Sequence, residues 1–311
     1  MKQLSHKPLF FLFSFLAFPF SSSFAFAVTF FCIFSAMLPL NALSATWPTS
    51  TLAQSIAEPP IHQPFPIAVQ SELDGDLARV AVSARIPVAF TELQTFYRND
   101  DAWCQGFFAN VYVKACYKNG KLLRIFYDNN DEYQDLGDAF QFDYQVVEQT
   151  LNNQHLYISL RADSGPLGSE DYRLSIEAEA QSDSHTVLRL VYQSRYGFIA
   201  RSALFVYLKT LGRDKIGFSR DQQAQPVAGV RGILERNAMR YLLALCAYFS
   251  NQNAVKPLAN TLKNWHDYAT VFSQELQEID WSDYQKLKLR EYQDQLKLQQ
   301  HNGELWLKED W

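Results

Sequence analysis

The chain has 311 residues with 33 acidic and 28 basic side chains, a net charge of −5, and an aromatic share of 15%. A mildly acidic chain is poorly suited to nucleic-acid backbones, so no nucleic-acid partner is expected. The length suits one large domain with an appendage.

Residues 1–45 hold no acid, carry Lys2 and Lys7 at the front, and then run almost wholly apolar from Leu9 to Phe20. That layout predicts a secretory leader. Candidate cleavage sites follow Ala27 and Ala45, and the second is preferred because Val28 to Leu40 is itself apolar. Cleavage there moves the charge from −5 to −7, since two lysines and no acid are lost. A periplasmic or otherwise exported protein results. The competing reading is a retained N-terminal membrane anchor, because Leu9 to Leu40 exceeds the roughly 20 apolar residues that span a bilayer. Residues 46–66 contain Pro48, Pro59, Pro60, Pro64 and Pro66 and read as an extended linker.

A domain is expected from 67 to 251. Arg79 to Ile86 alternates as a half-buried strand. Pro87 opens a helical stretch through Phe90, Leu93 and Phe96 to Trp103. Phe107–Tyr117 and Leu122–Asp128 flank Asn119-Gly120, the chemistry of a tight hairpin. Strands at Phe140–Gln149, Leu156–Ala162, Tyr172–Ala180 and Val187–Tyr196 complete a series of seven, joined by short turns that favour an antiparallel meander. A shorter helix spans Ala200 to Leu211. The long helix from Val227 to Phe249 then carries one stripe of Val230, Leu234, Asn237, Tyr241, Leu245 and Tyr248, and a second of Arg231, Glu235, Leu242, Cys246 and Phe249. Arg236 and Arg240 fall on the remaining face. The expected fold is α+β: a curved antiparallel sheet of about seven strands around a long C-terminal helix. Residues 252–311 form a helical arm with apolar positions Leu258, Leu262, Trp265, Phe272, Leu276 and Ile279, then a charged helix from Tyr284 to Gln299. The arm either packs across the sheet opening or meets a second copy, a membrane or an envelope protein.

In an oxidising compartment Cys104 and Cys116 are the expected disulfide, and Cys246 reads as a buried free thiol. The phosphate-loop, serine-elbow and zinc-helix signatures are absent. His62, His155, His185 and His266 lie far apart in sequence, and Asp128, Asp131, Glu132, Asp135 and Asp138 lack the spacing of a calcium loop. No metal or cofactor is expected. Arg231 and Glu235, four apart, are expected to pair on the helix, with Asn237 turned toward an apolar interior where it must find partners. These three, with Tyr241 and the strand residues Tyr144, Tyr172, Tyr192 and Tyr196, are the candidate ligand-binding set. Their plainer reading is that the trio orders the helix and that each tyrosine belongs to the core.

Trp103-Cys104, Gly165-Pro166-Leu167-Gly168 with Asp171-Tyr172, and Gly229-Val230-Arg231-Gly232 with Glu235-Arg236-Asn237 resemble an exported bacterial branch of the START-related superfamily of lipid-transfer proteins and polyketide cyclases. The resemblance covers about Ile67 to Asn251. It implies a helix-grip fold whose cavity, between sheet and helix, takes a hydrophobic small molecule or lipid. An enzyme of the same fold, using Glu235 and a tyrosine for proton transfer, is a second reading, and a structural role in an envelope assembly a third. A barrel is disfavoured by the helix-period stretches from Val227 to Gln299.

Overall fold

The computed structural model describes residues 65–305 except 130, 211, 214, 251–256 and 277–278. The leader, its cleavage points and nearly all of the 46–66 linker lie outside these residues. Of the linker, Phe65 is buried, edge-on to Tyr268 at 5.2 Å, and so belongs to the core.

One sheet of eight strands organises the domain, one more than expected. β1 (Ile67–Asp74), β2 (Leu77–Ile86), β3 (Val113–Asn119), β4 (Leu122–Tyr127), β5 (Phe140–Leu151), β6 (His155–Ser164), β7 (Glu170–Ser182) and β8 (His185–Arg195) pair in the order β1-β2-β8-β7-β6-β5-β4-β3. Every pair is antiparallel. The unexpected strand is β1, an edge strand with a largely exposed C-terminal half. Its turn carries Asp74-Gly75, with Gly75 at φ +60°, a conformation that suits glycine.

Between β2 and β3 run α1 (Phe90–Arg98) and α2 (Asp100–Phe108). The single expected helical stretch is thus two, broken at Asn99, whose side chain accepts the Asp101 amide at 3.0 Å as an N-cap. This also corrects the expected strand from Phe107, because α2 continues through Phe108 and β3 begins at Val113. The Cys104–Cys116 disulfide joins α2 to β3, with Cα atoms 5.3 Å apart. Cys246 is a buried free thiol, and burial pushes its pKa up.

After β8 come α3 (Phe198–Lys209) and α4 (Gly229–Phe249). α4 lies against β1, β2 and β8, which makes the arrangement a helix-grip α+β fold. Leu242, Leu243, Leu245 and Cys246 are fully buried on it, each leucine contributing about 2 kcal/mol. Arg236 and Arg240, on the remaining face of the helix, are also buried, Arg236 donating to the Ile216 carbonyl at 3.2 Å. Arg240 donates to the Leu276 carbonyl at 3.3 Å and lies 4.6 Å from the Tyr112 ring.

The C-terminal helices α5 (Leu258–Val271), α6 (Ser273–Leu276) and α7 (Trp281–Gln300) wrap back onto the domain. α5 packs on α4, where Trp265 donates to the Arg240 carbonyl at 3.3 Å. α7 covers the β3 edge. There the Gln295 amide imitates a neighbouring strand: it accepts the Cys116 N–H and donates to the Cys116 carbonyl, both at 2.7 Å. Tyr284 donates to the Ala109 carbonyl at 2.5 Å, and Lys288 to the Val113 carbonyl at 2.7 Å. An open edge invites pairing with another chain, and these side chains occupy it. The seam also buries charge, since Glu291 lies 3.1 Å from Lys114 and 2.7 Å from Lys288. Burial lowers the Lys288 pKa to about 8 against the raising influence of Glu291. Asn302 and Gly303, both at positive φ, end α7, and the Gly303 N–H bonds the Leu298 carbonyl at 2.9 Å.

Candidate functional site

The stripe of α4 that meets the sheet is unevenly buried. Along the Val230-to-Tyr248 stripe, Leu245 and Tyr248 are buried, and Phe96 of α1 fills the space beside them, 5.1 Å from the Tyr248 ring and 5.0 Å from Phe249. Leu234 is buried as well, whereas Val230, Asn237 and Tyr241 keep accessible surface. The inner face of the sheet is likewise uneven. Leu156, Ile158, Ile176 and Leu188 are buried, whereas Leu174 and Tyr192, paired across β7 and β8, remain half-buried with Phe142 and Tyr127.

Tyr127, Tyr192 and Tyr241 are ringed by protein so completely that burial drives each phenol pKa well above its ordinary value. Yet each retains surface open to solvent-sized molecules. Dense surroundings with accessible surface left over mark a candidate hollow. It would lie between α4, at Tyr241, and the sheet, at Tyr127 of β4 and Tyr192 of β8.

Aromatic rings line this region in a chain. Tyr112 meets Tyr127 at 6.0 Å, Tyr127 meets Phe142 at 6.2 Å, Phe142 meets Tyr172 at 5.1 Å, and Tyr172 meets Tyr192 at 6.0 Å. Tyr144 stacks beside Phe142 at 6.0 Å, and Tyr241 lies edge-on to Phe107 at 5.8 Å. At one end hydroxyls gather. Ser169 Oγ is 2.5 Å from the Tyr172 hydroxyl, and Ser169 and Tyr192 both draw the Tyr172 pKa down against burial. The Ser194 hydroxyl draws the Tyr192 and Tyr196 pKa values down against burial, although its own buried Oγ finds no partner of good hydrogen-bond geometry. Burial dominates throughout, raising Tyr144 and Tyr172 and taking Tyr196 to about 12. At neutral pH these phenols are uncharged and can each donate and accept.

Gly165-Pro166-Leu167-Gly168 shapes this end. A side chain at Gly165 would press into the Tyr172 ring, and its N–H bonds the Ser169 carbonyl at 2.8 Å. Glycine here admits the ring that carries the hydroxyl.

Arg231 and Glu235 depart from expectation. Instead of a direct ion pair, the Ser71 hydroxyl of β1 stands between them, accepting from Arg231 Nε at 2.9 Å and donating to Glu235 Oε1. Glu235 is fully buried and also accepts the Phe218 and Ser219 N–H groups at 2.7 and 2.8 Å and the Ser219 hydroxyl at 2.5 Å. Four donors occupy its two oxygens. Gly232 lets the 216–227 loop approach α4, since a Cβ there would stand 3.2 Å from Gly217 N and Val227 O. The Gly229-to-Asn237 motif therefore clamps this loop and β1 onto the helix. Asn237 Oδ1 accepts from Arg240 at 3.3 Å.

The structure thus gathers Tyr144, Tyr172, Tyr192, Tyr196 and Tyr241 in one region, with Asn237 on the same helical stripe as Tyr241, and places Arg231 and Glu235 in the adjoining clamp. Sequence reasoning missed Tyr127, Ser169 and Ser194. The last had a signal: Tyr192, Ser194 and Tyr196 recur at every second residue and so share one strand face. Among the described residues, no group of three or more histidine, cysteine, aspartate or glutamate side chains could hold a metal ion.

No family model matches the chain, and no curated protein does. Among solved structures it is similar to a START superfamily protein from Mycobacterium smegmatis, at 12% identity over 43% of this chain and 92% of that one, with a TM-score of 0.30. It is also similar to the Zhui aromatase/cyclase from Streptomyces sp. R1128, at 12% identity over 61% and 94%, with a TM-score of 0.33. A norcoclaurine synthase from Thalictrum flavum gives 9% identity over 45% and 84%, with a TM-score of 0.29. At such scores these likenesses carry no argument about function, and the helix-grip assignment rests on this chain's own strand order and its long helix.

Proposed function

We propose that this chain is an exported binding or transfer protein of START-related type, sheltering an apolar small molecule or lipid between α4 and the sheet. The observation that carries this reading is the set of deeply enclosed but accessible tyrosines, Tyr127, Tyr192 and Tyr241. An aromatic wall offers an apolar body broad contact, and a few convergent hydroxyls orient its polar end. In this reading Tyr144, Tyr172, Tyr192, Tyr196, Tyr241 and Asn237 face the ligand, and Arg231 and Glu235 hold the wall in place.

Proton transfer by Glu235 is disfavoured by the four donors on its carboxylate. A catalytic base needs a lone pair facing substrate, and phenols raised by burial are poor bases in its stead. Use of the arm for assembly is likewise disfavoured, because α5 and α7 are engaged with the chain's own α4 and β3. Export is supported by the apolar, acid-free residues 1–45 and by the Cys104–Cys116 bond.

Native mass spectrometry of protein expressed and purified without detergent tests the reading. The expected result is a co-purifying apolar molecule that organic extraction removes. Repeated recovery of empty protein, including after incubation with total lipid extract, would remove the proposal. Cell fractionation with thiol trapping tests export, the expected result being a periplasmic protein with Cys104 and Cys116 protected.

A further inference from the structure

The two most exposed large apolar side chains among the described residues are adjacent, Phe205 at 63% and Val206 at 62%, and both lie on α3. Soluble domains scatter such residues singly. Ser202, Phe205, Val206 and Lys209 are all exposed, and their spacing of three and four places them on one helical face. Leu204, Tyr207 and Leu208 face inward and are half-buried. α3 therefore presents an apolar ridge outward while resting on apolar residues beneath.

The charge around it differs from that of the whole chain. Segment 197–220 holds five basic residues, Arg201, Lys209, Arg213, Lys215 and Arg220, against Asp214 alone, in a chain whose net charge is −5. The Lys209 ammonium lies 5.3 Å from the Phe205 ring, so the exposed aromatic carries a cation beside it. Apolar side chains bordered by lysine suit an interface where rings enter the acyl boundary and cations meet phosphates. The helix starts two residues after Tyr196 and packs on the Pro166–Gly168 turn, next to Ser169 and Tyr172. A Cβ at Gly197 would stand 2.9 Å from the Gly168 carbonyl oxygen, so helix and turn are in close contact.

We infer that the outward face of α3 docks the protein on an anionic phospholipid surface, with Phe205 and Val206 inserted and Lys209 on the headgroups. The inference stands on exposure and charge and does not require that the hollow hold a ligand. The occupant is a bilayer rather than a second copy, because the same local positive charge on two copies would repel.

Hydrogen exchange of the full chain tests it by reading α3 separately from the apolar N-terminal stretch. Vesicles of phosphatidylcholine containing about one-third phosphatidylserine are compared with pure phosphatidylcholine. The expected result is slowed exchange over 198–209 on the anionic vesicles only, relieved by high salt. Phe205→Ser with Val206→Ser should lose that protection, with α3-dependent vesicle affinity falling roughly tenfold, while exchange in the β-sheet stays unchanged. Identical exchange of 198–209 with and without anionic vesicles overturns the inference, even if the N-terminal stretch brings the chain to the vesicle. Protection that appears without vesicles as protein concentration rises would show a second copy on this face and would equally overturn it.

Discussion

Replacing Glu235 with alanine removes the acceptor for two backbone N–H groups and two serine hydroxyls in one step. Serine hydroxyls can turn elsewhere, but the Phe218 and Ser219 amides are fixed by their loop. Each stranded amide costs about 1 to 3 kcal/mol, and breaking a buried charged network costs about 3 to 5 kcal/mol in all. Glu235→Ala should therefore lower unfolding stability by about 3 to 5 kcal/mol. Glutamine retains one oxygen for the two amides and turns its amino group toward hydroxyls that can accept, so Glu235→Gln should cost only about 1 to 2 kcal/mol. Urea denaturation gives the magnitude, and hydrogen exchange at 216–219 gives the location. An alanine variant with an unchanged midpoint and an equally protected loop would refute the clamp.

Three further outcomes follow from other parts of the chain. Lys288 holds its proton less tightly when folded, at about 8, than the usual 10.5, so between those values the unfolded chain binds the proton that the folded chain has lost. Stability then rises with pH across that window, and Lys288→Met should flatten the rise relative to wild type when urea midpoints at pH 7.5 and 9.5 are compared. Removing the disulfide through Cys104→Ser with Cys116→Ser should cost roughly 2 to 3 kcal/mol and abolish the effect of reductant on the urea midpoint. Gln295→Leu leaves the Cys116 N–H and carbonyl without their side-chain partner, and should cost about 1 to 3 kcal/mol and speed aggregation followed by light scattering.

Much of this fold is legible residue by residue, and the departures have definite physical origins. Alternation marks strands at Arg79–Ile86 and Tyr172–Ala180 because apolar side chains recur at every second residue on one face, although Ala81 and Ser83 on the other face of the first are buried too. The Asn119-Gly120 hairpin is readable because Gly120 needs positive φ. β1 escaped because an edge strand needs burial on only one side, although Asp74-Gly75 pointed to its turn. The start of β3 was misplaced because the aromatic run Phe107-Phe108 suits a buried helix end as well as a strand. At the site, spacing placed Arg231 and Glu235 on one helix face but could not show that Ser71, some 160 residues away, would come between them. The tyrosines converge through strand register, which a single sequence does not specify over so many pairings.

The central claim is that space remains between α4 and the sheet, and filling it is the most direct measurement. Leu174 is half-buried on the inner face, opposite Tyr192. The dissociation constant of N-phenyl-1-naphthylamine, an uncharged apolar fluorophore, should be measured for wild type and for Leu174→Trp with matched circular dichroism. The account predicts saturable binding by the wild type that weakens roughly tenfold or more once the indole occupies the hollow. Equal binding by the two proteins, or none by the wild type after delipidation, would contradict it.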